Sequence, residues 1–191
     1  MMKIGLAGGI GSGKSFVAQR LALRGIEVYD CDAAAKRLMR TSAELRRRLT
    51  ALIGPNTYDG GKLNKGAVSR FLLASDDNQR AVNAIVHPAV FDDFIASGRQ
   101  WMESAIMFES GANRYVDRVV AVTAPLEVRL ERIMHRDAIS RPQALQWVQR
   151  QWPQERVRQM AHYEIVNDGQ ADIDQQLDAL LEELSINYQT L

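Results

Sequence analysis

Eight consecutive residues, Gly8-Gly9-Ile10-Gly11-Ser12-Gly13-Lys14-Ser15, meet the spacing G-x-x-x-x-G-K-[ST], and each fixed position has a task if the ligand is a polyphosphate. Glycine lets the backbone wrap close to the anion. The amides of Gly11, Ser12, Gly13, Lys14 and Ser15 lead into a helix, where unpaired donors and the helix dipole favour negative charge. Lys14 has the reach for the β- and γ-phosphates, and the Ser15 hydroxyl suits Mg²⁺. An ordinary glycine-rich turn would show the same letters, so the flanking residues decide. An apolar run at 4–7 precedes the loop, and Val17, Ala18, Leu21 and Ala22 recur at helical spacing until Gly25. The loop is therefore expected between the first strand and its helix.

Holding phosphate does not say where it goes, and three kinds of phosphate-loop protein compete. A GTPase reads guanine with Asn-Lys-x-Asp, but here Asn64-Lys65 is followed by Gly66-Ala67. A motor ATPase wants an apolar run ending in Asp or Asp-Glu, and Glu103 is the nearest approach. A kinase needs a carboxylate at the acceptor hydroxyl and mobile arginines that close over the phosphates with water excluded. Asp30 and Asp32 follow an expected strand at 26–29, at the end where open α/β sheets bind ligands, and Arg132, Arg136 and Arg141 follow a clearer strand at 118–123. Each has a bland alternative. Asp32 could cap the helix starting at Ala33. The arginines could lie on a solvated face paired with Glu127 and Glu131.

The remaining elements are those that must position these groups. Helical composition from 33 to about 53 ends at Gly54-Pro55-Asn56, and Asp59-Gly60-Gly61 reads as a loop. Asp76-Asp77 begins a helix that Pro88 should kink or break. A third strand is expected over 101–108 and a fifth at 165–166, ending in Asn167-Asp168-Gly169. Ile173, Leu177, Leu180, Leu181 and Leu184 form a closing amphipathic helix. Alternation of strand and helix implies a mostly parallel sheet. With 191 residues, and 24 Lys and Arg against 23 Asp and Glu, one domain is expected, with no charge excess to draw nucleic acid or anionic lipid. A single cysteine, Cys31, and no long apolar segment suit a cytoplasmic protein.

The motifs together resemble the dephospho-CoA kinase family, almost from end to end. Gly-Leu-Ala-Gly-Gly-Ile-Gly-Ser-Gly-Lys-Ser is similar to its opening, and Asp30-Cys31-Asp32 to its Asp-x-Asp element. His87-Pro88 resembles its His-Pro element, Phe108-Glu109 the end of its Pro-Leu-Leu-Phe-Glu segment, and Asn167-Asp168-Gly169 its closing turn. The resemblance implies ATP with Mg²⁺ and dephospho-CoA as substrates, and Asp32 as the base that accepts the 3′-hydroxyl proton. It also implies that His87 and Glu109 lie on the acceptor side, Arg136 and Arg141 on the triphosphate, Phe16 in the ATP loop and Asn167 beside the adenine. Three residues depart from the pattern: Phe16 replaces Thr, Ala105 replaces Pro, and Trp147 stands where many members carry a lid arginine. A nucleotide kinase, or a nucleotide-binding protein without transfer, is the competing reading. The expected architecture is an α/β P-loop kinase-type fold, a parallel five-stranded sheet flanked by helices. Its core spans about 1–58, 98–135 and 161–191, a helical substrate lobe 59–97, and a helical lid 136–160. A monomer or weak homo-oligomer is expected.

Overall fold

The computed structural model describes residues 1–188. Strand β1 is Ile4–Ala7, buried throughout, and after the glycine loop helix α1 runs Lys14–Ala22. Strand β2 (Val28–Asp30) passes directly into α2 (Cys31–Thr41), followed by α3 (Ala43–Ile53). A small hairpin of β3 (Tyr58–Asp59) and β4 (Lys62–Leu63) leads to α4 (Lys65–Ala74) and the long α5 (Asp76–Ala96). Then come β5 (Trp101–Ser104), β6 (Arg118–Thr123), α6 (Leu126–Asp137), α7 (Arg141–Gln149), α8 (Gln154–Met160), β7 (Tyr163–Val166) and α9 (Ile173–Tyr188).

The five-stranded sheet has the order β2-β5-β1-β6-β7. Strand β1 pairs in parallel with β5 and β6, and β6 with β7. Leu6, Val120, Val122 and Ile165 from the strands pack with Val17 and Leu21 of α1 and Leu177 of α9. Helices cover both faces of such a sheet, which is why its strands read as apolar runs rather than alternating ones.

Two local expectations are corrected and a third is sharpened. Strand β5 stops at Ser104 instead of reaching 108, because the Ser104 hydroxyl accepts the Ile106 amide and starts a turn. Met107 and Phe108 are buried in that turn, not in the sheet. Pro88 lies inside an unbroken α5. It removes one backbone donor, while buried Val82, Val86, Val90, Phe91 and Phe94 hold the helix on both sides of it. The segment read as a loop at Asp59-Gly60-Gly61 is the turn of the hairpin, with φ of 51° and 82° at the two glycines, the positive values that a two-residue hairpin turn requires.

The chain forms two compact units, Met1–Tyr29 with Arg99–Leu191, and Asp30–Gly98. The second begins well before residue 59, because α2, α3 and α4 all pack on α5. In the first, Leu130, Ile133 and Ala144 form a satellite cluster against which Ile10, Trp147 and Val148 pack. Trp147 is thus an apolar filler where many relatives were expected to carry a cation. Among the described residues, no helix is long and apolar enough to cross a membrane.

Candidate active site

The phosphate loop is shaped by glycine at the positions where a side chain has no room. Gly8 and Gly13 have φ of 142° and 92°. A Cβ at Gly8 would lie 2.4 Å from the Val122 carbonyl oxygen, and one at Gly13 would lie 2.0 Å from Asn167 Nδ2. The Ser12 amide donates to the Gly9 carbonyl at 3.1 Å, so it closes the loop on itself; of the five amides expected to serve an anion, this one is engaged internally. Gly13 caps α1 in the left-handed conformation, without a side-chain cap, and the first helical turn opens at Lys14 and Ser15.

Groups far away in sequence hold the carbonyl side of this loop. Arg129 Nε donates to the Ile10 carbonyl at 2.9 Å. Arg132 Nη1 reaches the carbonyls of Gly11 and Ser12, both at 3.4 Å, and Asn167 Nδ2 donates to the Ser12 carbonyl at 3.0 Å. A trans peptide puts the following N–H opposite its carbonyl. Drawing these carbonyls to one side therefore turns the amides of Gly11 and Gly13 to the other. Arg132 also donates to Asn167, to its carbonyl at 3.0 Å and to its side-chain oxygen at 3.2 Å, which fixes the Asn167 amide. The solvated-face alternative for Arg132 does not hold; it is Arg141 that pairs with Glu127, at 2.6 Å.

Beside the loop lies a cavity of ≈ 510 Å³ lined by Gly13, Ser15, Phe16, Arg20, Arg132 and Asn167. That volume suits a small polar ligand such as a nucleoside. Phe16 is 41% exposed, with the Arg20 guanidinium 5.0 Å from its ring centroid. Asp168 turns the closing loop by accepting the amides of Ala171 and Gln170, both at 2.9 Å, and these bonds hold its carboxyl below the ordinary range. The donor set also fits Mg²⁺. The hydroxyl-bearing Ser15, a hard oxygen donor, lines the cavity beside the phosphate loop. An ion with few protein ligands that arrives on a polyphosphate is how Mg²⁺ binds.

In the second unit the question of the cap at Asp32 is settled. Asp30 accepts the Ala33 amide at 2.8 Å and is the N-cap of α2; Asp32 lies in the first turn, exposed. His87, half-buried on α5, faces the ring of Phe91 at 6.0 Å. Burial draws its pKa below the ordinary 6.5, and the negative charge of Asp32 opposes that shift. Glu109 accepts the Trp152 amide through Oε1 at 3.0 Å, while Phe108 stacks on Trp152. Arg136 bonds to its neighbour Asp137 at 3.0 and 2.7 Å. Arg141 forms a two-point pair with Glu127 that raises its already high pKa. The structure thus joins Asn167 and the 11–16 loop and sets Asp32 near His87. It does not bring Arg136 or Arg141 to the loop. Sequence reasoning missed Arg129, and Gln151 fell within the expected lid at 136–160. The available signal was Arg129's place four residues before Ile133, on a stripe where apolar residues belong.

A glycine loop after the central strand of a parallel sheet, running into a helix and gripped from a later helix by arginines, defines a P-loop kinase-type fold. A family model for dephospho-CoA kinase matches residues 2–172. A dephospho-CoA kinase of Bacteroides fragilis is 39% identical over 201 aligned residues, covering 100% of this chain and 95% of its own. A crystal structure from Thermus thermophilus superposes with a TM-score of 0.81 at 32% identity, covering 96% of this chain and 97% of that one. A dephospho-CoA kinase structure from Campylobacter jejuni, at 20% identity and a TM-score of 0.68 over 97% of this chain and 98% of its own, shares the fold. The chain belongs to the dephospho-CoA kinase family.

Proposed function

We propose that the protein transfers the γ-phosphate of ATP to the ribose 3′-hydroxyl of dephospho-CoA, giving coenzyme A and ADP. The observation that carries the reading is the phosphate loop completed by Arg132 and Asn167 beside a nucleoside-sized cavity, in a chain of this family. ATP lies with its adenine near Asn167 and its phosphates along Gly11 to Phe16. The amides of Gly11 and Gly13 and the Lys14 ammonium bear on the β- and γ-phosphates. Ser15 would hold Mg²⁺, which when bound neutralises charge between those phosphates.

Asp32 orients the acceptor and takes its proton as the 3′-oxygen bonds to the γ-phosphorus and the bond to the bridging oxygen of ADP breaks. His87 and Glu109 contact the acceptor. Arg136 and Arg141 leave their surface carboxylates and close on the triphosphate, stabilising charge as it shifts toward ADP. Residues 59–97 serve as the acceptor lobe and 136–160 as the lid. The near-balanced charge argues against a nucleic-acid partner, and the expected form is a cytoplasmic monomer or weak homo-oligomer. The test is acceptor-dependent ADP release with dephospho-CoA, compared with adenosine, nucleoside monophosphates and shikimate. Equal rates with a nucleoside monophosphate would replace this reading with that of a nucleotide kinase.

A further inference from the structure

Among the described residues, no carboxylate stands beside the buried cation Arg129. Its residue is 4% exposed, and among the described residues its one hydrogen bond runs from Nε to the Ile10 carbonyl. Burial alone pulls its pKa down from the guanidinium range, yet a guanidinium keeps its proton in proteins. Taking such a charge out of water without a partner is costly, and a fold has no reason to bear that cost unless something repays it.

The position of the side chain says what does. A Cβ at Gly9 would lie 2.4 Å from Arg129 Nη2, and a Cβ at Gly11 would lie 2.6 Å from the Arg129 carbonyl oxygen. One residue of α6 therefore occupies the space behind two glycines of the phosphate loop. The other polar group of Ile10, its amide, donates to Gln151 Oε1 at 2.7 Å, and Gln151 Nε2 donates to the Ala105 carbonyl at 3.2 Å. Ile10 is held at both backbone groups, once by a cation and once by a neutral amide.

We propose that Arg129 is a positioning residue for phosphoryl transfer: acting through the backbone of Ile10, it sets the phosphate loop and supplies a fixed positive charge whose counterion is the nucleotide's polyphosphate. A carboxylate partner would have cancelled that field in the free protein. Without one, the charge is compensated only when the ligand arrives, so its contribution grows with the number of phosphates bound. The proposal rests on the ATP reading above, and the parent protein tests that reading first: a parent that binds no ATP refutes both.

The variants are Arg129→Gln, which keeps a donor for the Ile10 carbonyl and loses the charge, and Arg129→Lys, which keeps the charge. Equilibrium titrations with ATP, ADP and AMP, kinetics with dephospho-CoA, and melting of the free protein are the measurements. Arg129→Gln is expected to weaken ATP about tenfold, ADP less and AMP hardly at all. Its free form should melt at or above the parent temperature, and Arg129→Lys should recover most of the ATP affinity. Parent-like ATP binding by Arg129→Gln, an equal loss for all three nucleotides, or a free Arg129→Gln protein that melts early or fails to fold would each overturn the proposal. So would an Arg129→Lys protein as weak for ATP as Arg129→Gln.

Discussion

Two aspartates separated by one residue divide the labour at the start of α2. Asp30 is committed to the Ala33 amide, so Asp32 is left for chemistry. The two can be told apart by substitution. Asp30→Ala should cost about 1 kcal/mol of stability in urea unfolding. Asp32→Asn should leave unfolding nearly unchanged and lower turnover by about 10² to 10⁴, the usual contribution of a general base, with ATP affinity kept. A turnover equal to the parent's would reduce Asp32 to a surface residue. His87 offers a test by pH. Its folded pKa lies below the ordinary 6.5, so between those two values the unfolded chain holds a proton that the folded chain lacks. Stability from this group is intact above pH 6.5 and is lost as the pH falls through that window. The unfolding midpoint should therefore fall more steeply on acidification in the parent than in His87→Gln.

At the scale of elements, the loop between β1 and α1 tolerates almost no side chain. Gly13→Ala would force a left-handed backbone at φ 92° and place a methyl group 2.0 Å from Asn167 Nδ2. About 1–3 kcal/mol of destabilisation is expected from the backbone alone, along with loss of ATP binding, read by calorimetric titration. On the proposed lid, Arg141 must leave Glu127 before it can reach phosphate. An exposed pair of this kind contributes little, so Glu127→Gln should tighten apparent ATP binding by no more than about fivefold, an effect that added salt erases. The loop itself was legible because its signal is local: eight residues in a row and an apolar run before them. The grip of Arg132 was not, because an arginine beside Glu127 and Glu131 has the same sequence environment whether it faces water or a backbone carbonyl. Strand β5 was overextended because Ile106, Met107 and Phe108 are apolar for reasons of burial in a turn, and periodicity over so few residues cannot separate the two.

Across the whole molecule, the alternation of strands and helices was enough to give the parallel sheet. The partition of the helices was less legible. Helices α2 and α3 carry no mark that sets them with α5 rather than with the sheet, since an apolar stripe shows that a helix is buried but not against what. The acceptor makes the corresponding prediction at this scale. Removing the second unit, residues 30–98, through a short linker should abolish dephospho-CoA-dependent ADP release while weak ATP binding persists, because the groups around the nucleotide cavity all come from the first unit. Loss of ATP binding as well would show that the two units fold only together.

Asn167 grips Ser12 from 155 residues away, and Gln151 holds Ile10 from 141. On the ribosome the phosphate loop therefore emerges well before the residues that finish it. Contacts of such sequence separation form late, so a nascent chain carries an incomplete loop until β7 has been made and docked against β6. Nucleotide affinity should switch on only after Asn167 has emerged, and ATP, when it binds, stabilises a chain in which β7 already lies against β6.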